Sequence, residues 1–159
     1  MKQSFLKTCI ILLLFCCTTN IIRAQEKIDC KGTGELCDFF GHFIAVFNNR
    51  DWVGFSACLS DEITVMFDSK NRPDRKNGRT SVEQMFHFLF PEPGIPLDPN
   101  RFKIIPVDLL IQDFGNAAVI SFVIKDTAQI ARRSLVLQKK NNQWHIEHIH
   151  ASSFDITNK

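Results

Sequence analysis

The 159-residue chain carries 19 Lys and Arg against 17 Asp and Glu, a formal net charge of +2, with 45% apolar residues. That length suits one domain, and the composition excludes collagen-like, coiled-coil and multi-pass membrane classes. The near balance of charge argues against a nucleic-acid binder, which needs clustered basic surface. Fifteen Phe stand beside no Tyr, so no mechanism here can use a phenol.

The first residues have the pattern of an export signal. Lys2 and Lys7 flank a start that runs into nine apolar residues, 9–17, and polar Thr18, Thr19 and Asn20 follow before Ile22, Arg23 and Ala24. Nine apolar residues are too few for a bilayer span of about 20, and a small residue at the end marks a cleavage site. We expect residues 1–24 to be a signal peptide cut after Ala24, 25–34 a linker and 35–156 the folded domain. The mature chain would be secreted or periplasmic, with no stable membrane insertion. Removing Lys2, Lys7 and Arg23 turns the net charge from +2 to −1. Cys30, Cys37 and Cys58 remain. An odd number allows one intramolecular bridge at most. Cys30 and Cys37 are close enough in sequence to pair, Cys37 and Cys58 sit in adjacent predicted helices, and all three can equally stay unbridged.

Along Gly34–Asn49, Leu36, Phe40, Phe43 and Phe47 recur at helical spacing, with Thr33 placed to cap the start. Asp51 can cap a second, short helix through Trp52, Phe55 and Leu59. Residues 63–67 are β-branched and aromatic and predict a strand. Residues 68–79 are polar and close on Asn77-Gly78, which predicts a loop. A third helix is expected over 81–90. Pro91, Pro93, Pro96 and Pro99 then stiffen a loop that can shape the mouth of a cavity. Four strands follow, at 102–113, Ala117–Lys125, 130–140 and 144–154, separated by Gly115-Asn116, Asp126-Thr127 and Asn141-Asn142. Helices first and a meander last give an α+β domain, with three N-terminal helices packed on one face of a mostly antiparallel sheet.

The last strand carries the most chemistry. Strict alternation puts Trp144, Ile146, His148, His150 and Ser152 on one face. Apolar residues leading into two His and a Ser describe a pocket wall. Arg132 and Arg133 must point to opposite faces of their strand, so one of them faces inward or is covered by a partner subunit.

The order of these elements, with Phe47-Asn-Asn-Arg-Asp-Trp52, the turn from Gly78 into Ser81-Val-Glu-Gln-Met-Phe86, and the terminal Trp-x-Ile-x-His-x-His-x-Ser, resembles the SnoaL-like branch of the nuclear-transport-factor-2-like superfamily over residues 35–154. The last motif also resembles the association domain of calcium/calmodulin-dependent kinase. The resemblance implies a cone-shaped roll with a strongly curved sheet around a deep cavity. It does not imply one function, since such folds serve isomerases, cyclases, dehydratases, binding proteins and assembly domains. Steroid-isomerase chemistry needs a buried carboxylate base with a phenol and an acid as oxyanion donors. Asp68 lies near the family's base, but the phenol is missing.

Three readings remain. The first is a binding protein for a small apolar or amphipathic ligand, held by Trp144, Ile146, His148, His150, Ser152 and Arg133, with no cofactor. The second is a cofactor-free lyase, isomerase or cyclase, with His148, His150 and Asp68 as catalytic candidates. The third is a homo-oligomeric assembly domain. A homodimer is expected in any case, because both faces of Ala117–Lys125 are apolar. His148 and His150 have metal-ligand spacing, but no third ligand is evident and no metal is expected. His42 and His87 are expected to be structural.

Overall fold

The computed structural model describes residues 30, 34–69, 72–86, 89–90, 95–96, 102–125 and 129–156. The expected signal peptide, the linker apart from Cys30 and Gly34, Thr33 and most of the proline-rich loop lie outside the described residues. Among the described residues the helices are α1 (Gly34–Asn49), α2 (Trp52–Ala57) and α3 (Arg79–Phe86), the last following the first two strands in the chain. The strands are β1 (Leu59–Ser69), β2 (Arg72–Asn77), β3 (Pro106–Asp113), β4 (Ala117–Lys125), β5 (Gln129–Lys140) and β6 (Gln143–Asp155). They form one curved, unclosed sheet in the order β2-β1-β6-β5-β4-β3, antiparallel throughout except where β1 runs parallel to β6. This is the expected α+β roll of helices within a mostly antiparallel sheet.

Several boundaries differ from expectation: Leu59 opens β1 rather than closing α2, β1 starts four residues before the expected 63, and α3 runs Arg79–Phe86 rather than over 81–90. Residues 68–69 and 72–77, expected in a loop, are strand, since β2 pairs with β1 from Thr64↔Asn77 to Ser69↔Arg72. The polar run Arg72-Pro-Asp-Arg-Lys-Asn77 is the outermost strand, and charge and Pro are what an edge strand tolerates. The fourth strand from the end begins at Pro106 rather than at residue 102. Residues 102–105 run instead as irregular chain along α1.

Three cross-sheet rows of side chains line the concave face. Ala118, Leu137, Ile146 and Leu59 make the first and Ile120, Leu135, Ile149 and Val65 the second. All eight are buried. The third row is Phe122, Arg133, Ala151 and Phe67, and its last three members are only half-buried. The roll therefore closes at the first row and opens at the third. Ile146 and Ile149 both face inward although three residues apart, because the β5–β6 register shifts between Val136 and Leu137. Glu147 is the extra residue of a β-bulge, which inverts the facing of everything beyond it.

The helices fill the concavity. α1 buries Leu36, Phe40, Phe43, Ile44, Val46 and Phe47, and Lys139 ties its first turn to the closed end of the sheet through Glu35, 2.8 Å away. Cys30 is disulfide-bonded to Cys37. Arg50, at φ 57°, ends α1 in the left-handed region. Its N–H donates to Phe47 O and that of Asp51 to Val46 O, a Schellman closure with Arg where Gly is usual. Asp51 then caps α2, accepting from Gly54 N at 2.9 Å. Phe55, the buried residue of α2, packs its ring 5.0–5.8 Å from those of Phe43, Phe47, Trp52, Phe86 and Phe90.

A Cβ at Gly54 would lie 2.6 Å from Asp51 Oδ2 and from Val46 Cγ1. The close approach of α1 to α2 therefore requires glycine. An alanine in a helix ordinarily gains about 0.5–1 kcal/mol over glycine. Gly54→Ala is expected to lose about 1–3 kcal/mol instead, through overpacking against a fixed cap. Urea unfolding of the two proteins checks the sign.

Candidate functional site

Between the third row and the helices lies a cavity of about 290 Å³. Phe43 and Phe47 of α1, Phe55 of α2, and Met85 and Phe86 of α3 form one wall. Val65, Phe67, Phe122, Ile124, Leu135, Ile149 and Ala151 of the sheet form the other, and Leu89, Phe102 and Ile104 complete it. Among the described residues, Arg133 is the one lining side chain with a polar group.

Local chemistry holds this enclosure in place. The Asn48 side chain clamps the irregular segment onto α1, donating from Nδ2 to Ile104 O at 2.9 Å and accepting from Ile104 N at 2.7 Å. Arg50 donates to Phe47 O and Phe102 O, with its guanidinium 4.8 Å from the Phe47 ring. These two residues place Phe102 and Ile104 over the cavity. On the opposite side, Gly78 turns at φ 77° into α3. Arg79 anchors that helix by donating to Ser56 O and Leu59 O at 2.8 and 2.6 Å. The motif residues at 47–52 and 78–79 thus act as braces, a role the strand and helix pattern alone did not assign them.

Arg133 lies on the inner face of β5, between Phe122 and Ala151. Its Nη1 donates to Arg132 O at 2.8 Å and Ser152 O at 3.0 Å. Burial pushes its pKa down from the ordinary arginine value, although a guanidinium keeps its charge in proteins. Arg132 faces outward, 5.1 Å from the Phe154 ring. The predicted split of the two arginines is therefore seen, with Arg133 the inner one.

The other expected site residues separate. Trp144 and Ile146 face inward but lie in the packed core at the closed end. His148, His150 and Ser152 lie beyond the bulge on the outer face, paired with Val136, Ser134 and Arg132 of β5. The shared face expected from alternation is thus split by one inserted residue. Ile149 and Ala151 line the cavity instead. Their signal was present in the sequence, as apolar residues at 144, 146, 149 and 151 have the two-three-two spacing of a bulged strand. Asp68 sits in β1 opposite Pro73. Cys58 is a buried free thiol whose pKa burial, then the Asp51 charge, pushes up to about 11. Such a thiol is a packing group and not a nucleophile. Among the described residues, no three His, Cys, Asp or Glu side chains gather as a metal site, and no helix is long and apolar enough to cross a membrane.

The geometry is that of an α+β cone with an apolar pocket, a fold shared by many solved structures. One is an NTF2-like protein of unknown function from Pseudomonas putida KT2440, with 17% identity, a TM-score of 0.61, and coverage of 74% of this chain and 83% of that one. Another is an NTF2-like protein from Cytophaga hutchinsonii, with 12% identity, a TM-score of 0.58, and coverage of 79% and 100%. A third, from Streptomyces avermitilis, is described as a proposed dehydratase of the NTF2-like family, with 13% identity, a TM-score of 0.57, and coverage of 76% and 94%. At such identities the likeness is one of fold. No curated protein matches the chain. The SnoaL-like domain family matches residues 37–156, and the chain belongs to that family.

On the outer face, His148 Nδ1 lies 2.6 Å from Thr64 Oγ1 in a hydrogen bond. Burial first, then the charge of His150, holds the His148 pKa below its ordinary value of 6.5. A base with a lowered folded pKa binds more protons when unfolded. Its contribution to stability is complete above about pH 6.5 and is lost as pH falls through that value toward the lowered one. Melting curves between about pH 8 and about pH 5 should show a shallower loss for His148→Gln than for the parent.

Proposed function

We propose that this SnoaL-like protein is exported and binds one small apolar or amphipathic molecule in the cavity between α1, α3 and the third row of the sheet. The observation that carries the reading is a cavity of about 290 Å³ lined, among the described residues, by apolar side chains and a single guanidinium. Apolar enclosure supplies affinity, and one placed polar group supplies orientation. At about 30 Å³ for each water-sized group, the space suits a ligand of roughly ten heavy atoms. Export rests on the basic, short-apolar, small-residue pattern of 1–24 and fits the Cys30–Cys37 bridge, since disulfides persist in oxidising compartments.

A cofactor-free lyase or isomerase built on His148 and His150 is less favoured. The two imidazoles lie across the sheet from the cavity, and the cavity wall offers no group that titrates near neutral pH among its described residues. The outer face supports a second element of the reading, a homodimer. It carries exposed Val136, Leu110 and Phe154 beside the half-buried Val119, Val123 and Met66.

Two measurements test these readings. In a fluorescence titration with 2-naphthol, the parent should bind, and Ala151→Phe should bind at least about tenfold more weakly by filling the cavity. Its melting temperature should stay close to the parent's, and equal binding by the variant would move the site elsewhere. Light scattering on the purified mature chain should report a dimer that Val136→Glu converts to monomer, because an unpaired charge in a buried interface is costly.

A further inference from the structure

Arg133 shows a charge imbalance that the fold itself does not resolve. The guanidinium is half-buried in the wall of an otherwise apolar cavity, and no acidic side chain pairs with it among the described residues. A charge in such surroundings is costly unless an opposite charge or a full set of acceptors meets it. Two backbone carbonyls, Arg132 O and Ser152 O, take Nη1 and fix the plane of the group. Nε and Nη2 have no partner among the described residues, which leaves an oriented fork. Phe122 and Ala151 flank Arg133 on the same face, and the small Ala151 leaves open space beside it.

We propose that the ligand is an apolar monocarboxylate, its carboxylate held by the Arg133 fork and its hydrocarbon part lying among Phe43, Phe47 and Phe86. The proposal rests on the cavity reading and narrows it to one chemical class. A planar carboxylate can accept two parallel N–H bonds from a guanidinium edge. Its single negative charge matches the single positive one, whereas a phosphate dianion would leave an excess charge in an apolar enclosure. A neutral alcohol would gain the apolar contacts and leave the guanidinium uncompensated. The volume, with room for roughly ten water-sized groups, fits an acid about the length of octanoate.

Isothermal titration of the mature protein with octanoate, 1-octanol, octylammonium and octyl phosphate tests this. Octanoate should bind at least about tenfold more tightly than octanol, the scale of one charge-assisted pair, and octylammonium should not bind. Arg133→Met should weaken octanoate by about tenfold to a hundredfold and leave octanol within about twofold of the parent. Comparing ligands on the parent keeps the test valid if the variant folds poorly. Equal affinity for octanoate and octanol, or tighter binding of octyl phosphate, would overturn the carboxylate assignment and leave the cavity reading intact. Binding of none of the four would overturn the cavity reading together with it.

Discussion

The one-residue bulge at Glu147 in β6 decides what the concave face of the sheet is made of. β6 is central, with β1 on one side and β5 on the other. Its first part must present Trp144 and Ile146 to the core, and its second part must present Ile149 and Ala151 to the cavity. A regular strand cannot do both, because alternation would put His148 and His150 where Ile149 and Ala151 now stand. Two imidazoles in that row would sit among Val65, Leu135 and Phe122 with polar atoms to satisfy. The bulge removes that cost and moves the histidines to the outer face, where His148 has Thr64 as a partner.

The remaining features keep the open end from collapsing. The first two rows pack tightly, whereas the third is shorter on one side because Ala151 stands beside Phe67 and Arg133. A cavity survives there because the helices are braced from outside it. Asn48 and Arg50 hold the 102–105 segment by its backbone, and Arg79 holds α3 to the α2–β1 junction. Gly54 lets α2 approach α1 closely enough for Phe55 to join five other rings. Asn48, Arg50 and Arg79 donate to backbone carbonyls, and Asn48 also accepts from the Ile104 N–H, so these contacts are specific without placing charge in the pocket.

The helices and most strands were legible because their periodicity is strong. Phe40, Phe43 and Phe47 on α1 are buried as their spacing requires, and Asn141-Asn142 makes the β5–β6 turn with both residues at positive φ, as a two-residue hairpin demands. β2 was hidden because Arg72-Pro-Asp-Arg-Lys-Asn77 has no apolar alternation, being an edge strand next to solvent. The facing of β6 was misread for a different reason. The extra residue leaves its trace only as a three-residue step between Ile146 and Ile149, which strict alternation overrides. Asn48, Arg50 and Arg79 were visible as motif residues, but their roles depend on carbonyls up to 56 positions away in the chain.

The sequence by itself determined the helices and most of the strands, the absence of any phenol and the division of Arg132 from Arg133 between two faces. These follow from composition and from local periods of two and 3.6 residues, which need no knowledge of neighbours. Only the tertiary structure decided that Arg133 is the inner arginine, that Ile149 and Ala151 replace the histidines in the cavity, and that an apolar void remains at the open end. Each of those depends on how β6 registers against β1 and β5 at once. A one-residue shift in that pairing is a property of three strands together and of none of them alone.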